Sequence, residues 1–517
     1  MILVLGVMMV VSLLSAAVFL AVQSDSSLTR GDLDGKRAYA AAQAGMQAYL
    51  YALNVNASNS QWWETCSNDT TGSPTPVAVP GTTTGATYSY QPVPANGATA
   101  CSSTDPVGSL IDGTTGTLRM AFTGYAGKAT RSIVASFRTL SPLSFLWYTV
   151  YETEDTSIAG SNSGCNRFYY QSPGPPSSCE IYWVTGDHMN GPMYTQDQFL
   201  ISPNNAATFG RAGTQDAIAS QVPTSGSSDI CADSKCYTTS VTDPEPNVSP
   251  QVPLPADNSS LASDATKHGV VLTGTTTLVV QGATANGYNC PDATQSDCVR
   301  ESINLATTPI IYAQNGSGCN TTYDPTSVSY PAFTINDATW GPTTAYHGAC
   351  GDIYISGAYS SPLTIAAAND VVVTGNLLNT TDTDPTGTTS PTGSATLGLV
   401  ADEYVRVMHC NGSNSNPNVT VDGAILTLAH SFFVDNYQCG GMPQGTLTVH
   451  GAIAQYYRGI VGQVAASGYL KNYNYDDRLS LILPPYLFDL QNMEWTVFRE
   501  TMCNTAVSST NAASCGT

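Results

Sequence analysis

Residues 1–22 read MILVLGVMMVVSLLSAAVFLAV and contain no charged side chain. An apolar run of about 20 residues is long enough to cross a bilayer as an α-helix. No proline occurs before Pro74, so one helix could extend from Met1 to about Asn54, over roughly 80 Å. Its first half is apolar on all sides and its second half is amphipathic. This pattern predicts a membrane anchor that continues into a folded domain.

Three interpretations of this stretch compete. A cleaved secretory signal would begin with basic residues, and an ordinary signal anchor would carry flanking positive charge. Here the first ionisable side chain is Asp25. The third interpretation is that a basic leader has been removed on the N-terminal side of the apolar run. In that case the helix would face lipid first and other helices later, through Leu3, Leu5, Val11, Leu14, Val18 and Phe19.

The amphipathic half carries a family resemblance. Residues 24–53 read SDSSLTRGDLDGKRAYAAAQAGMQAYLYAL, with AAQAGM at 41–46. This stretch resembles the PilX-type minor pilins and related pseudopilins of the type IV pilin family, and residues 38–46 are similar to their A-E-A-G element. The resemblance implies a processed prepilin whose helix packs against other pilin subunits. Major pilins carry a glutamate early in the apolar run, whereas residues 3–6 are Leu-Val-Leu-Gly, which argues against a major subunit.

Composition limits the partners of the remaining chain. Its 517 residues include 17 Lys and Arg against 38 Asp and Glu, giving a net charge of −21. So few basic residues make binding to a nucleic-acid backbone unfavourable. Charged residues are only 11% of the chain, so it is no acidic disordered tail. The 45 Gly and 30 Pro predict many turns, as in a secreted β protein.

The cysteines indicate the compartment. There are 14, and pairing consecutive members would close short loops at low entropic cost. No Cys-x-x-Cys spacing supports a zinc site. We therefore expect disulfides and an oxidising, extracytoplasmic location. The candidates, in order, are Cys66, Cys101, Cys165, Cys179, Cys231, Cys236, Cys290, Cys298, Cys319, Cys350, Cys410, Cys439, Cys503 and Cys515.

The chain divides by composition into five segments. Residues 1–54 form the predicted helix, and 55–139 a small antiparallel head sheet. In that sheet Ala129, Ile133, Ala135 and Phe137 share one face of a strand, with Gly124 and Gly127 in the preceding turn. Residues 140–268 are an aromatic and loop-rich connection. Residues 269–500 are a mostly β domain, and 501–517 a disulfide-closed tail. The predicted fold class is α+β.

The large domain contains a repeated phrase. A five-residue pattern recurs: three residues that favour strands, any one residue, and a glycine. Its four copies end at Gly357, Gly375, Gly423 and Gly451. Repeated short strands of this kind predict the coils of a parallel β-solenoid. A β-sandwich is the alternative. The constant position of the glycine favours the solenoid.

Candidate catalytic and metal sites are weak. Glu152, Glu154 and Asp155 cluster in sequence, but one local cluster does not define an acid/base pair. We predict a solvated turn or an opportunistic calcium loop there. His188 has no nearby nucleophile in sequence. We expect no catalytic residue, no cofactor and no dedicated metal site.

A structural clasp is predicted near the C-terminus. Asp476, Asp477 and Arg478 are followed by Pro484 and Pro485, which looks like the Y-D-x-R-L…P-P closure of large PilX-like extracellular domains. Arg478 can pair with a neighbouring aspartate, and consecutive prolines force an extended exit.

Two functional classes remain. The first is a subunit of a type IV pilus-like filament, anchored in the membrane before assembly and exposed at the cell surface afterwards. Its partners would be other pilin subunits, the membrane, and a surface glycan or other surface. The second is a surface-anchored adhesin, or a polysaccharide-processing enzyme on a β-solenoid. Such enzymes need clustered carboxylates and basic groups, and residues 140–470 contain few Lys or Arg.

Overall fold

The structure is a computed structural model of the chain. It describes residues 30–54, 73–81, 85–94, 98–103, 109–112, 117–158, 160–201, 207–211, 216, 218–220, 245–246, 254–291, 298–320, 323–330, 335–336, 341–342, 348–382, 393, 395–410, 418–441, 445–463, 465–480, 483–487 and 494–503. The predicted anchor positions Leu3, Leu5, Val11, Leu14, Val18 and Phe19 lie outside these residues. Within them, no helix is long and apolar enough to cross a membrane.

Strands dominate the described residues. Helix α1 covers residues 30–54. The first strands are β1 (Ser73–Ala78), β2 (Thr87–Pro92), β3 (Ile111–Asp112), β4 (Thr117–Ala126), β5 (Ala129–Leu140), β6 (Trp147–Tyr151), β7 (His188–Asn190), β8 (Met193–Thr195), β9 (Thr208–Phe209), β10 (Ile218–Ser220) and β11 (Glu245–Pro246).

Helix α2 (Ser259–His268) precedes the remaining strands. They are β12 (Val270–Thr273), β13 (Thr275–Gly282), β14 (Thr284–Cys290), β15 (Val299–Asn304), β16 (Ile310–Gln314), β17 (Ile335–Asn336), β18 (Gly341–Pro342), β19 (Ile353–Tyr359), β20 (Leu363–Ala367), β21 (Val371–Asn379), β22 (Leu397–Ala401), β23 (Val405–Val407), β24 (Asn418–Thr427), β25 (Phe432–Val434), β26 (Gly445–Tyr457), β27 (Gly462–Gln463), β28 (Ser467–Tyr475) and β29 (Glu494–Cys503).

The first compact unit comprises residues 1–140 and 493–517. Its strands form an antiparallel sheet in the order β1-β2-β4-β5-β29, with β3 beside β4. The predicted antiparallel strand is present as β5, and Ile133, Ala135 and Phe137 are fully buried on it. Only Gly127 lies in the β4–β5 turn, with φ of +56°. Gly124 instead pairs with Arg131 inside the sheet, so its predicted place in the turn is wrong.

Helix α1 packs on this sheet through small and aromatic side chains. Ala38 and Ala41 are buried against Ala86 and Ala126. Further along the helix, the ring of Tyr49 lies 5.4–5.8 Å from three sheet aromatics, Tyr90, Phe122 and Phe137. Burial recurs every three or four residues, as the amphipathic pattern predicts.

The last described strand corrects two predicted boundaries. Residues 494–500 were assigned to the large β domain and 501–517 to a polar tail. Strand β29 instead pairs antiparallel with β5 in the first unit. Asn54 at the end of α1 bonds Trp495 twice, through its amide nitrogen at 3.1 Å and its oxygen at 2.6 Å. Pairing with a sheet edge satisfies backbone groups that a tail would leave to water.

The second compact unit comprises residues 141–492. Most of its strands stack in three parallel ladders. One runs through β12, β16, β20, β22, β24, β26, β6, β8, β10 and β11. Another runs through β13, β19, β21, β23 and β25. A third runs through β21, β24, β26, β28, β7 and β9. Pairing along these ladders is parallel, whereas β14 pairs antiparallel with β13 and with β15, and β27 pairs antiparallel with β28.

Residues 140–268 are more than a connection. Strands β6 to β10 extend the ladders beyond β26 and β28, although they precede them in the chain. A parallel ladder requires matching backbone groups and a buried face, not sequence order. This is why a loop-rich composition did not reveal the contribution of these short strands.

The recurrent glycines occupy more than one position. Gly423 and Gly451 are ladder partners, and a β-carbon on Gly451 would lie 1.8 Å from the carbonyl oxygen of Gly423. Gly357, with φ of +117°, aligns instead with Leu377. Gly375 lies where the register between β19 and β21 shifts. The constant sequence position of these glycines therefore does not correspond to one constant structural position, since Gly357 and Gly375 differ from Gly423 and Gly451.

Candidate functional site

Disulfides tie the loops of the second unit. Four of the predicted consecutive pairs are present: Cys165–Cys179, Cys290–Cys298, Cys319–Cys350 and Cys410–Cys439. Cys101 and Cys503 are also disulfide-bonded. Cys66, Cys231, Cys236 and Cys515 lie outside the described residues. The expectation of disulfide chemistry is confirmed for the pairs described.

The acidic cluster after β6 is internal, not solvated. The Glu152 side chain is fully buried; it accepts hydrogen bonds from Trp147 Nε1 at 2.9 Å and Arg458 Nη1 at 3.0 Å. Asp155 is also fully buried, and only Glu154 is half-buried. The prediction of a solvated turn or calcium loop is wrong for Glu152 and Asp155, because each carboxylate has its own cationic partner. No described set of His, Cys, Asp and Glu side chains converges to hold a metal ion.

An imidazole bridges two carboxylates beside this cluster. His430 Nδ1 lies 2.9 Å from Asp155 Oδ2, and its Nε2 lies 2.7 Å from Glu403 Oε2. The ring stacks on Tyr404 at 4.6 Å. Burial alone would lower the pKa of His430, but hydrogen bonds to the two carboxylates outweigh it and raise the pKa to about 9. His430 is therefore positively charged and links Asp155 to Glu403.

Arg458 lies at the centre of an aromatic and polar interior. Its guanidinium lies 3.9 Å from the ring centre of Trp183, within cation–π range, and the arginine is fully buried. Its Nε and Nη2 have no hydrogen-bond partner among the described residues, and neither does Trp183 Nε1 or Tyr473 OH. This interior therefore has more donors than acceptors, the condition in which buried water or another polar group completes the bonding.

Asp187 and Lys471 form a second buried pair near Trp183. Lys471 Nζ lies 2.9 Å from Asp187 Oδ2, and the two residues immediately precede the paired positions of β7 and β28. Sequence reasoning considered the neighbouring His188, which is exposed and bonds Thr208 Oγ1 at 2.8 Å. It missed Asp187, because only the ladder brings Lys471, far away in sequence, to this carboxylate.

Arg406 anchors another interior cluster. Its Nε lies 2.8 Å from Asp370 Oδ2, and its Nη1 lies 3.0 Å from Asp435 Oδ2. The hydroxyls of Tyr323 and Tyr330 also donate to Asp435. Burial raises the pKa of Asp435 to about 8 and that of Asp370 to about 7. Arg406 thus links two buried carboxylates from distant segments of the second unit.

The clasp residues are held by specific contacts. Arg478 Nη2 lies 2.7 Å from Asp476 Oδ2, and its Nη1 donates to the carbonyl oxygen of Gly393 at 2.8 Å. Asp477 pairs with Arg211 Nη1 at 2.7 Å rather than with Arg478. Beyond them, a β-carbon on Gly398 would lie 3.1 Å from Pro484, and the carbonyl oxygen of Pro485 accepts from Thr364 Oγ1.

Comparisons with known proteins leave the family open. No protein-family model matches the chain, and no curated protein matches it. Among solved structures, it is similar to the competence-associated pilin ComZ from Thermus thermophilus. The identity is 12% over 91% of this chain and 98% of that chain, with a TM-score of 0.27. At this TM-score the likeness carries no argument about fold or function.

Proposed function

We propose that the chain is a structural subunit of a type IV pilus-like filament of the PilX-like kind. Residues 1–22 would anchor it in the membrane before assembly and pack against the helices of other subunits afterwards. Residues 141–492, as a parallel β-solenoid, would be the surface-exposed head that contacts a glycan or another surface. The role we propose is structural and adhesive rather than enzymatic.

The outer face of α1 is the observation that carries this proposal. The helix buries Ala38, Ala41 and Tyr49 on its own sheet. On other faces it leaves Leu33 45% exposed and Tyr51 69% exposed. On a helix that follows an apolar run, these two side chains would be available for contacts with neighbouring helices.

The second unit suits an extracytoplasmic head. Its disulfides close loops along the strand ladders, and Arg406, His430, Arg458 and Lys471 pair with buried carboxylates. Such crosslinks support an oxidising environment. Because the ion pairs use these basic side chains, few remain to bind anionic partners. This favours neutral surfaces or glycans as ligands.

Filament shearing tests the proposal. Val11→Asp or Leu14→Asp places a charge in lipid before assembly and in a dry helix bundle afterwards, and both environments disfavour it. We expect either substitution to remove the protein from sheared filaments, whereas Val11→Leu and Leu14→Ile should retain it. Immunoblotting and electron microscopy of sheared material provide the measurement. Wild-type protein found only in the membrane fraction would indicate an anchored adhesin instead.

The outer face of α1 can be tested separately. Tyr51→Asp introduces a charge at an exposed position, so the fold of the first unit should be kept while filament incorporation falls. Met502→Asp, at an exposed position of β29 in the same unit, is the control for charge added outside α1. Equal incorporation of both variants would remove the support that this helix face gives to the proposal.

A further inference from the structure

A small pocket opens beside the buried Asp187–Lys471 pair in the second unit. Its volume is about 40 Å³. Aliphatic side chains, including Ile181, Val184 and Val461, line its wall, and Asp187 and Lys471 contribute polar groups to it. Tyr182 also lines it and is 37% exposed. The pocket thus combines an apolar wall, an aromatic ring that solvent reaches and an ion pair.

The ion pair has unused hydrogen-bonding capacity. Asp187 is 1% exposed, and its Oδ2 accepts from Lys471 Nζ at 2.9 Å and from the Val184 amide at 3.1 Å. Its Oδ1 is buried and has no partner among the described residues. Lys471 Nζ has three N–H groups, and its one hydrogen bond among these residues goes to Asp187. The pair therefore offers one acceptor and spare donors side by side.

These groups select a ligand by complementarity. A secondary amide carries one N–H donor and one carbonyl acceptor, which match Asp187 Oδ1 and Lys471 Nζ. A primary amide would bring a second N–H, for which the ion pair itself offers no second free acceptor. A carboxylate would face the Asp187 charge. A methyl group next to the amide would lie against the aliphatic wall.

We propose that this pocket binds the acetamido group of an N-acetylated sugar. The amide N–H donates to Asp187 Oδ1, the carbonyl oxygen accepts from Lys471 Nζ, and the methyl group packs near Val184 and Val461. The exposed ring of Tyr182 contacts the apolar face of the pyranose ring. This assignment names the class of ligand that the proposed adhesive head would bind. Only the biological role of the binding rests on the proposed function.

Binding is measured on the purified full chain in detergent, so filament assembly does not affect the result. The probes are the trimer of N-acetylglucosamine, its deacetylated trimer and a glucose trimer. We expect binding of the acetylated trimer alone, with the strongest saturation transfer in NMR at the acetyl methyl protons. Equal binding of the acetylated and glucose trimers, or no binding of any trimer, would overturn the assignment and indicate that water fills the pocket.

Two variants locate the site. Lys471→Met and Asp187→Asn should each weaken binding of the acetylated trimer at least tenfold. His450→Gln disrupts another buried pair, with Asp422 at 2.7 Å, and should leave binding unchanged. Circular dichroism detects any variant that is unfolded. If a variant is unfolded, the comparison of the three trimers on the unaltered protein tests the assignment by itself. Unchanged binding by both folded pocket variants contradicts the assignment, as does binding of an N-acetylated peptide amide as tight as that of the sugar.

Discussion

Gly124 of β4 lies directly against the backbone of α1 at Ala38. A β-carbon at Gly124 would lie 1.9 Å from the Ala38 carbonyl oxygen and 2.6 Å from the Ala42 amide nitrogen. The helix therefore rests on the sheet backbone at this point, with no side chain between them. Such close contact requires glycine on the strand for lack of space, because φ is not positive there.

Gly124→Ala should destabilise the first unit by about 1–3 kcal/mol, since overpacking displaces the helix. The control is Gly31→Ala in α1, where nothing lies within 4 Å of the new methyl group. That change should be neutral or stabilise α1 by up to about 1 kcal/mol. Hydrogen exchange of α1 and β4 amides measures the difference. Equal protection in both variants would show that the helix does not rest on Gly124.

Arg458 and Glu152 should be strongly coupled. Arg458→Met leaves the Glu152 carboxylate buried without its cation, which costs about 3–5 kcal/mol. Replacing both, as Arg458→Met with Glu152→Leu, should recover much of that loss because no charge stays buried. Thermal unfolding of the two single variants and the double variant completes the cycle. Additive losses would mean that the two groups do not interact.

The second unit should become less stable as pH rises from about 4 to about 8. Burial raises the pKa of Asp197 and of Asp435 to about 8, so the folded chain holds protons that the unfolded chain, with carboxyl pKa values near 4, releases. The raised pKa of His430 acts in the same direction up to about pH 9.

Asp197→Asn should flatten this pH dependence while keeping the hydrogen bond from the Tyr169 amide, which its oxygen accepts at 2.6 Å. Glu500→Gln, at an exposed carboxylate of the first unit, should leave the slope unchanged. Unfolding midpoints measured at pH 4, 6 and 8 compare the two variants with the unaltered chain. A midpoint that rises with pH would contradict the assignment of raised carboxyl pKa values.

Peptide mapping without reductant should recover the remaining consecutive pairs. We expect Cys66–Cys101, Cys231–Cys236 and Cys503–Cys515 beside the four pairs already described. Alkylation before reduction serves as the control, since it labels free thiols only. A crosslinked peptide joining Cys101 to Cys503 would refute the consecutive rule for these two cysteines.

Local patterns predicted much of the first unit. The amphipathic second half of the N-terminal stretch predicts a helix that packs by one face, and the alternation of Ile133, Ala135 and Phe137 indicates the buried face of β5. Both patterns depend on neighbours within a few residues, so the sequence carries them directly. The strand β29 was not predicted, because its pairing with β5 depends on a return of the chain that no local pattern records.

The cationic partners of the buried carboxylates could not be predicted from the sequence. Glu152 and Asp155 are three residues apart and read as one acidic turn, yet one bonds Arg458 and the other His430. Whether a carboxylate is solvated or buried depends on the residues that pack against it. Here His430 lies between β24 and β25 and Arg458 follows β26, both far from residues 152–155 in sequence.

The sequence by itself determined the amphipathic face of α1, the alternation of β5 and the four described consecutive disulfides, because each depends on spacing along the chain. Only the tertiary structure decided that residues 147–220 extend ladders made by residues 270–475, and which cation meets each buried carboxylate. The physical reason is that a ladder joins any two strands with complementary backbones, while a buried charge is tolerated only where folding brings a partner within about 3 Å.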